Sequence, residues 1–221
     1  QKRGIFMAAS QAKWTKNVGI AEGDLKVVLF HSRNKDNREI EGFHERRQSF
    51  LWYDSLENRD RLFERFDDFV RHGVKGENSR LYMSLNTRRP EKVKKALIIE
   101  LLEKDNLRIG RINSIAASVA ARKECAWGNA WLIDFDDHNE DHLNEAVEDV
   151  KKGIISGSLA SDAIANGDIS AEELVSVHKT KNNYSIVTNI PFDPRVFIEK
   201  WGDVAELKKD GMLYIIDKTK E

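Results

Sequence analysis

Residues 130–137, Ala-Trp-Leu-Ile-Asp-Phe-Asp-Asp, constrain the fold more than any other stretch of the chain. An apolar run that ends in alternating carboxylates reads as a buried strand, because side chains on a strand point alternately to its two faces. Asp134 and Asp136 then share one face and Phe135 takes the other. A fold built on such a strand needs an apolar layer against Phe135 and positive charge against the acids. Hard divalent cations, Mg²⁺ or Mn²⁺, are the usual answer, since they prefer carboxylate oxygen and keep sites for water or substrate phosphates. The same residues also fit two solvent-facing acids at a strand end, followed by a helix capped by Asp137 or Asn139.

Around this strand two periodicities alternate. Period-two stretches over 24–31, 47–53 and 79–86 read as strands, and the polar stretch 32–41 between the first two reads as a long hairpin tip or a mobile loop. Helical spacing runs over 56–72, ending at Gly73, and from Pro90 with Val93, Leu97, Ile98, Leu101 and Leu102 on the apolar side. A helix over 111–125 would turn Ile112, Ile115, Ala116, Val119 and Ala120 inward, and its small residues allow a close neighbour. An amphipathic helix follows the acidic strand through Leu143, Ala146, Val147 and Val150. The stretch 153–167 is small and polar, with room for a short helical turn, and 168–177 has no clear period. Residues 178–188 read as a hairpin turn and its second arm, 195–201 as a short helix and 212–217 as a last strand. The fold class is α/β or, more narrowly, α+β: a mixed or antiparallel sheet packed with helices, with an N-terminal strand-helix extension. Residues 1–76 form that extension, within or beside a core over 77–221.

Charge excludes little here, because 36 Lys and Arg stand against 37 Asp and Glu, for a net charge of −1. Its distribution is uneven: cations gather at Arg46-Arg47, Arg88-Arg89, Lys92 to Lys95 and Lys179 to Lys181, acids from Asp134 to Asp149. The lone Cys125 rules out an internal disulfide framework, and no Cys/His spacing suggests zinc. Apolar stretches are too short for a membrane span or a signal peptide, so no membrane partner is expected and a reducing cytoplasm is the natural compartment.

Two further segments could serve phosphate chemistry. The stretch His178-Lys179-Thr180-Lys181-Asn182-Asn183-Tyr184-Ser185 carries lysines, hydroxyls and amides on a hairpin, a set suited to phosphate or simply to water. The stretch Lys208-Lys209-Asp210-Gly211-Met212 to Asp217 sets an acid before or at the end of another apolar strand. In order, a D-x-D strand, a polar hairpin leading into an apolar strand, and a strand with an acid resemble the archaeo-eukaryotic primase and primase-polymerase superfamily. Segments 80–89, 179–188 and 209–215 also resemble a recurring phage and bacterial pattern, K-T-x-N-G-Y-H-I-(I/V)-T in the second case, and the likeness covers roughly residues 79–217. Asn183 stands where that pattern has Gly, a substitution suited to a left-handed turn, and Ser185 stands where it has His.

The resemblance implies an RRM-like sheet on which Asp134 and Asp136, completed by Asp217 or Asp210, hold one or two Mg²⁺ or Mn²⁺ ions. It implies that Lys179, Lys181 and Ser185 contact a nucleoside triphosphate and that Arg88 and Arg89 follow a DNA or RNA backbone, in nucleotidyl transfer within a bacterial host cell. Serine in place of the histidine removes a positive group from that set. Two alternatives stand beside this expectation. One is a non-catalytic nucleic-acid-binding phage protein on the same scaffold, with Trp52, Tyr53, Tyr82 and Tyr184 stacking bases. The other is a metal-dependent nuclease or phosphohydrolase that uses water as nucleophile at the same acids.

Overall fold

The structure is a computed structural model that describes residues 24–104, 108–157 and 174–221. Of the stretch 153–167 and the segment 168–177, only 153–157 and 174–177 fall within the described residues. The chain splits into two compact units, Gln1–Trp127 with Tyr214–Glu221 and Gly128–Leu213. Its architecture is α+β, with antiparallel sheets packed against helices and no barrel. No helix among the described residues is long and apolar enough to cross a membrane.

In the first unit, β1 (Asp24–Ser32) pairs antiparallel with both β2 (Arg46–Asp54) and β3 (Asn78–Ser84). The last strand, β10 (Met212–Thr219), adds beyond β3, which gives the order β10-β3-β1-β2. Four successive buried residues, Leu25 to Val28, show that β1 is covered on both faces. Val28 and Phe30 pack with Leu62 and Phe66 of α2 (Leu56–Arg71), which Ser55 caps by accepting from the Asn58 amide at 3.3 Å. Beyond a two-residue strand β4 (Thr87–Arg88), α3 (Pro90–Glu103) opens on the expected proline, and α4 (Ile112–Ala120) packs against β2. Ala116, Ala117 and Ala120 are all buried in α4, the close approach that its small residues foretell. A short strand β5 (Ala126–Trp127) pairs with β4.

The polar stretch 32–41 lies, as expected, in the tip of the hairpin that joins β1 and β2, and within it residues Asn34–Asn37 form a helical turn, α1, pinned by buried charge. Asp36 takes Arg33 Nε at 3.0 Å and Arg80 Nη2 at 2.6 Å, while Asn37 donates to the carbonyls of Arg33 and Asn78 at 2.9 Å each. Asp36 and Asn37 thus turn inward onto protein partners, while Asn34 and Lys35 face solvent. On α3 the expected apolar side is only partly used, since Val93 is buried but Ile98 is 49 % and Leu102 80 % exposed.

The second unit is a sheet of order β7-β8-β6-β9, antiparallel at every pairing: β6 (Trp131–Phe135), β7 (Val175–Lys179), β8 (Tyr184–Thr188) and β9 (Ala205–Lys208). Helices α5 (Glu140–Ile155) and α6 (Arg195–Trp201) bury Leu143, Val150, Phe197 and Trp201 against Trp131, Ile133 and Phe135. Lys200 reaches Glu145 and Asp149 at 2.6 Å each, and the Trp201 indole donates to Asp149 at 3.1 Å, fastening α6 to α5. Asn139 caps α5 as expected, accepting from the Asp141 amide at 2.9 Å. β1, β2 and α2, from the region before residue 76, share their unit with β3 and β10; the Asp134 strand lies in the other unit.

Candidate functional site on the Asp134 strand

Alternation along β6 sends Ile133 and Phe135 into the helix-covered core and leaves Asp134 on the opposite face. Register then decides Asp134's neighbours. Ser185 of β8 lies directly across on one side and Glu206 of β9 on the other, and His178 of β7 lies across from Ser185. Such paired positions have Cβ atoms roughly 4.5–5.5 Å apart, so His178, Ser185, Asp134 and Glu206 form one row across the four strands. Two residues along, the same face carries Ser176, Val187, Leu132 and Lys208.

The row is knit by short contacts. Lys208 donates to Asp134 Oδ2 at 2.7 Å and pairs with Glu206 at 3.0 Å. Burial works against its charge, but the hydrogen bonds to Asp134 and Glu206 outweigh that and hold the ammonium above the ordinary lysine value. The Ser185 hydroxyl donates to Asp134 Oδ1 at 3.3 Å, and Ser176 Oγ lies 3.0 Å from His178 Nε2. Asp136, just past the strand, accepts from the Asn183 side-chain amide at 2.5 Å. Ser185, Leu132 and Val187 are buried, whereas the side chains of Asp134 and Lys208 are 36 % and 35 % exposed. Gly211 contributes to that covering: a Cβ there would lie 2.7 Å from Leu132 Cδ2, so only glycine lets the chain pass this close. One end of the face is therefore dry and the other open to solvent. Next along the chain, the hydrogen bond from His142 at 2.7 Å draws the Asp137 carboxyl below the usual range.

Asp134, Asp136 and Ser185 thus come together. Lys179 does not join them: it pairs with Tyr184, and both stand on the Phe135 face, opposite Asp134. Its neighbour His178 takes the position in the row instead. Lys181 sits exposed in the turn that Thr180 and Asn183 close, Thr180 N–H donating to the Asn183 carbonyl at 2.8 Å. Asn183 takes no left-handed conformation, since every described non-glycine residue has negative φ; its use is the amide bond to Asp136. In the other unit, Arg88 is buried at 3 % and Arg89 is exposed, so of the two Arg89 alone faces solvent. Asp217 is there too, on β10, where it accepts from Asn78 at 2.7 Å and from the Tyr214 hydroxyl. Asp210 lies in the bend between β9 and β10.

For a hard divalent cation the donors suit in type. Asp134, Asp136 and Glu206 offer carboxylate oxygen on one face, and Mg²⁺ commonly takes one or two carboxylates with the remaining ligands from water and substrate phosphates. Among the described residues no group of three or more His, Cys, Asp or Glu side chains is gathered to hold a metal. The Lys208 ammonium already compensates Asp134, so a cation entering there has to displace it or share the acid with it.

Glu206, Lys208 and His178 are the site residues that motif reading passed over. Register identifies all three, but His178 is reached only through β7 and β8, and Glu206 and Lys208 need β9, whose four residues Ala-Glu-Leu-Lys give alternation too short to recognise. The aromatics with base-stacking potential are mostly engaged: Trp52 packs against Phe50, Tyr82 against Tyr214 and Tyr184 against the second unit's core, which leaves Tyr53 at 54 % exposure. Comparison with protein-family models, with curated proteins and with solved structures gives no match for this chain.

Proposed function

We propose that this chain is a nucleotide-directed, divalent-metal-dependent protein of the primase-polymerase type, working in nucleotidyl transfer on a nucleoside triphosphate and DNA or RNA in a reducing cytoplasm. The row His178–Ser185–Asp134–Glu206 across one sheet face carries this reading. Asp134 and Asp136 would hold Mg²⁺ or Mn²⁺ jointly with the substrate's phosphates, and the ion supplies Lewis-acid polarisation of a phosphoryl oxygen. Ser185 fixes the Asp134 carboxylate by hydrogen bonding, and Asn183 fixes Asp136. His178 brings an imidazole to the face on which position 185 has none, from the neighbouring strand and in register. Lys208 offsets the charge of Asp134 and becomes a phosphate-binding cation once released from it.

A second reading has one specific observation behind it. The Lys208 ammonium between Asp134 and Glu206 already does electrostatically what a metal would do. In that case the protein binds nucleic acid without catalysis. Calorimetric titration of Mn²⁺, with and without a nucleoside triphosphate, into wild type, Asp134→Asn and Lys208→Met separates the two. The metal reading expects binding that tightens with nucleotide, disappears in Asp134→Asn and strengthens in Lys208→Met. Silence in both wild type and Lys208→Met, or binding indifferent to Asp134→Asn, removes it.

A further inference from the structure

The first unit, which does not contain the D-x-D motif, holds a cleft of about 540 Å³ between α3 and α4. Its lining includes four cations, Lys104, Arg108, Arg111 and Arg122, against one acid, Glu100. That acid is fully used: its two oxygens take Lys104 Nζ at 2.6 Å and Arg122 Nη2. Among the described residues no acid pairs with Arg108 or Arg111. Among the described residues the lining carries three more cations than acids, on a chain whose net charge is −1, and like charges crowded into a concave surface repel unless an anion relieves them.

The arrangement is linear. Arg111, Ser114, Ser118 and Arg122 recur at intervals of three and four, one stripe along α4 and its flanking turns. Arg111 precedes and Arg122 follows α4, whose nine residues span about 13 Å at a rise of about 1.5 Å per residue, so the two stand farther apart than a single phosphate needs. Ser118, exposed between them, offers a neutral donor. Among the described residues the lining has no aromatic ring to stack a base and no second acid to read an amine. Forked guanidinium donors at fixed intervals match phosphate oxygens.

We infer that this cleft binds a run of linked phosphates through Arg108, Arg111 and Arg122, and that the phosphates are those of a single-stranded nucleic-acid backbone. The inference does not rest on the metal reading of Asp134. A labelled oligothymidylate is titrated by fluorescence anisotropy into the full chain in EDTA, across a range of salt, so that a failed metal site leaves the result untouched. Wild type should bind with an affinity that falls steeply with salt. Arg108→Ala/Arg111→Ala removes the guanidinium groups for two phosphates, and should lower the log–log salt slope by about 1.4 and the affinity roughly 25-fold near 0.1 M salt. Both arginines are exposed, so the double variant should melt like wild type. Inorganic tripolyphosphate added as competitor distinguishes the sources. Displacement by it at comparable concentration assigns the cleft to a free oligophosphate, and its failure to compete assigns the cleft to the backbone. Wild-type affinity and slope in the double variant overturn the inference, as does wild type that holds neither probe.

Discussion

Lys208 holds two carboxylates with one ammonium, and this ties the site to pH. Because its folded value lies above the ordinary lysine value of about 10.4, its contribution is complete below that pH and is lost as pH rises through the folded value. The stability advantage of wild type over Lys208→Met should therefore shrink only above about pH 10.4, read from denaturant midpoints across pH. An advantage that already shrinks near neutral pH would place the effect elsewhere. Glu77 works in the opposite sense. Burial pushes its carboxyl up, but hydrogen bonds from Ser32 at 2.5 Å, from Arg46 Nε at 2.9 Å and from the Val74 amide at 2.8 Å bring it below the usual range. That stability is present above the ordinary carboxyl value of about 4.3 and is lost as pH falls through the folded value. Glu77→Gln should cost about 2–3 kcal/mol at neutral pH, since Arg46 is left partly buried without its partner. Its acid limb should also be shallower than wild type, and an unchanged acid limb would remove Glu77 from the account.

At the scale of elements, α5 sets helix propensity against packing. Gly153 lies within α5, where alanine would be worth about 1 kcal/mol more in propensity. Yet a Cβ at 153 would lie 2.8 Å from Phe192 Cδ2, and that ring is held by Trp131 at 5.5 Å and Phe197 at 6.1 Å between centroids. Overpacking costs about 1–3 kcal/mol, so Gly153→Ala should be net destabilising by about 1 kcal/mol. A rise in thermal midpoint would show that the ring yields. Elements also mark how far sequence alone reaches. β7 begins within a stretch that shows no clear period, whereas β6, α5 and β8 are legible because each runs through full cycles of its period and ends in a turn or cap residue. β9 is not, with two cycles of alternation and charges on one side, and with it Glu206 and Lys208 stay hidden. α1 is not legible either, because a charged stretch reads the same whether its partners are water or Arg80. For the same reason Asp134 is visible as a strand-end acid, while the ammonium that neutralises it is not.

The whole molecule is two units whose order along the chain is nested. Gly128–Leu213 is continuous, whereas the other unit opens the chain and is resumed only by Tyr214–Glu221. In that last segment Ile215 and Ile216 pack on the first core, Asp217 accepts from Asn78, and Lys220 exchanges backbone hydrogen bonds with Gly76 and Glu77 at 2.9 Å. A chain ending at Leu213 should lose amide-exchange protection along β3, which β10 flanks. Full protection in the shortened chain would mean that β10 merely decorates the sheet. Synthesis proceeds from the amino end at about 5–20 residues per second, and domains usually mature in the order in which they emerge. Here that order is broken: the stretch before residue 128 lacks β10 on one side of β3 until the ribosome has delivered the entire intervening unit and that strand. During that interval the half-made sheet exposes an edge to any chaperone or neighbouring nascent chain, and a chain cut before Tyr214 leaves that edge uncovered.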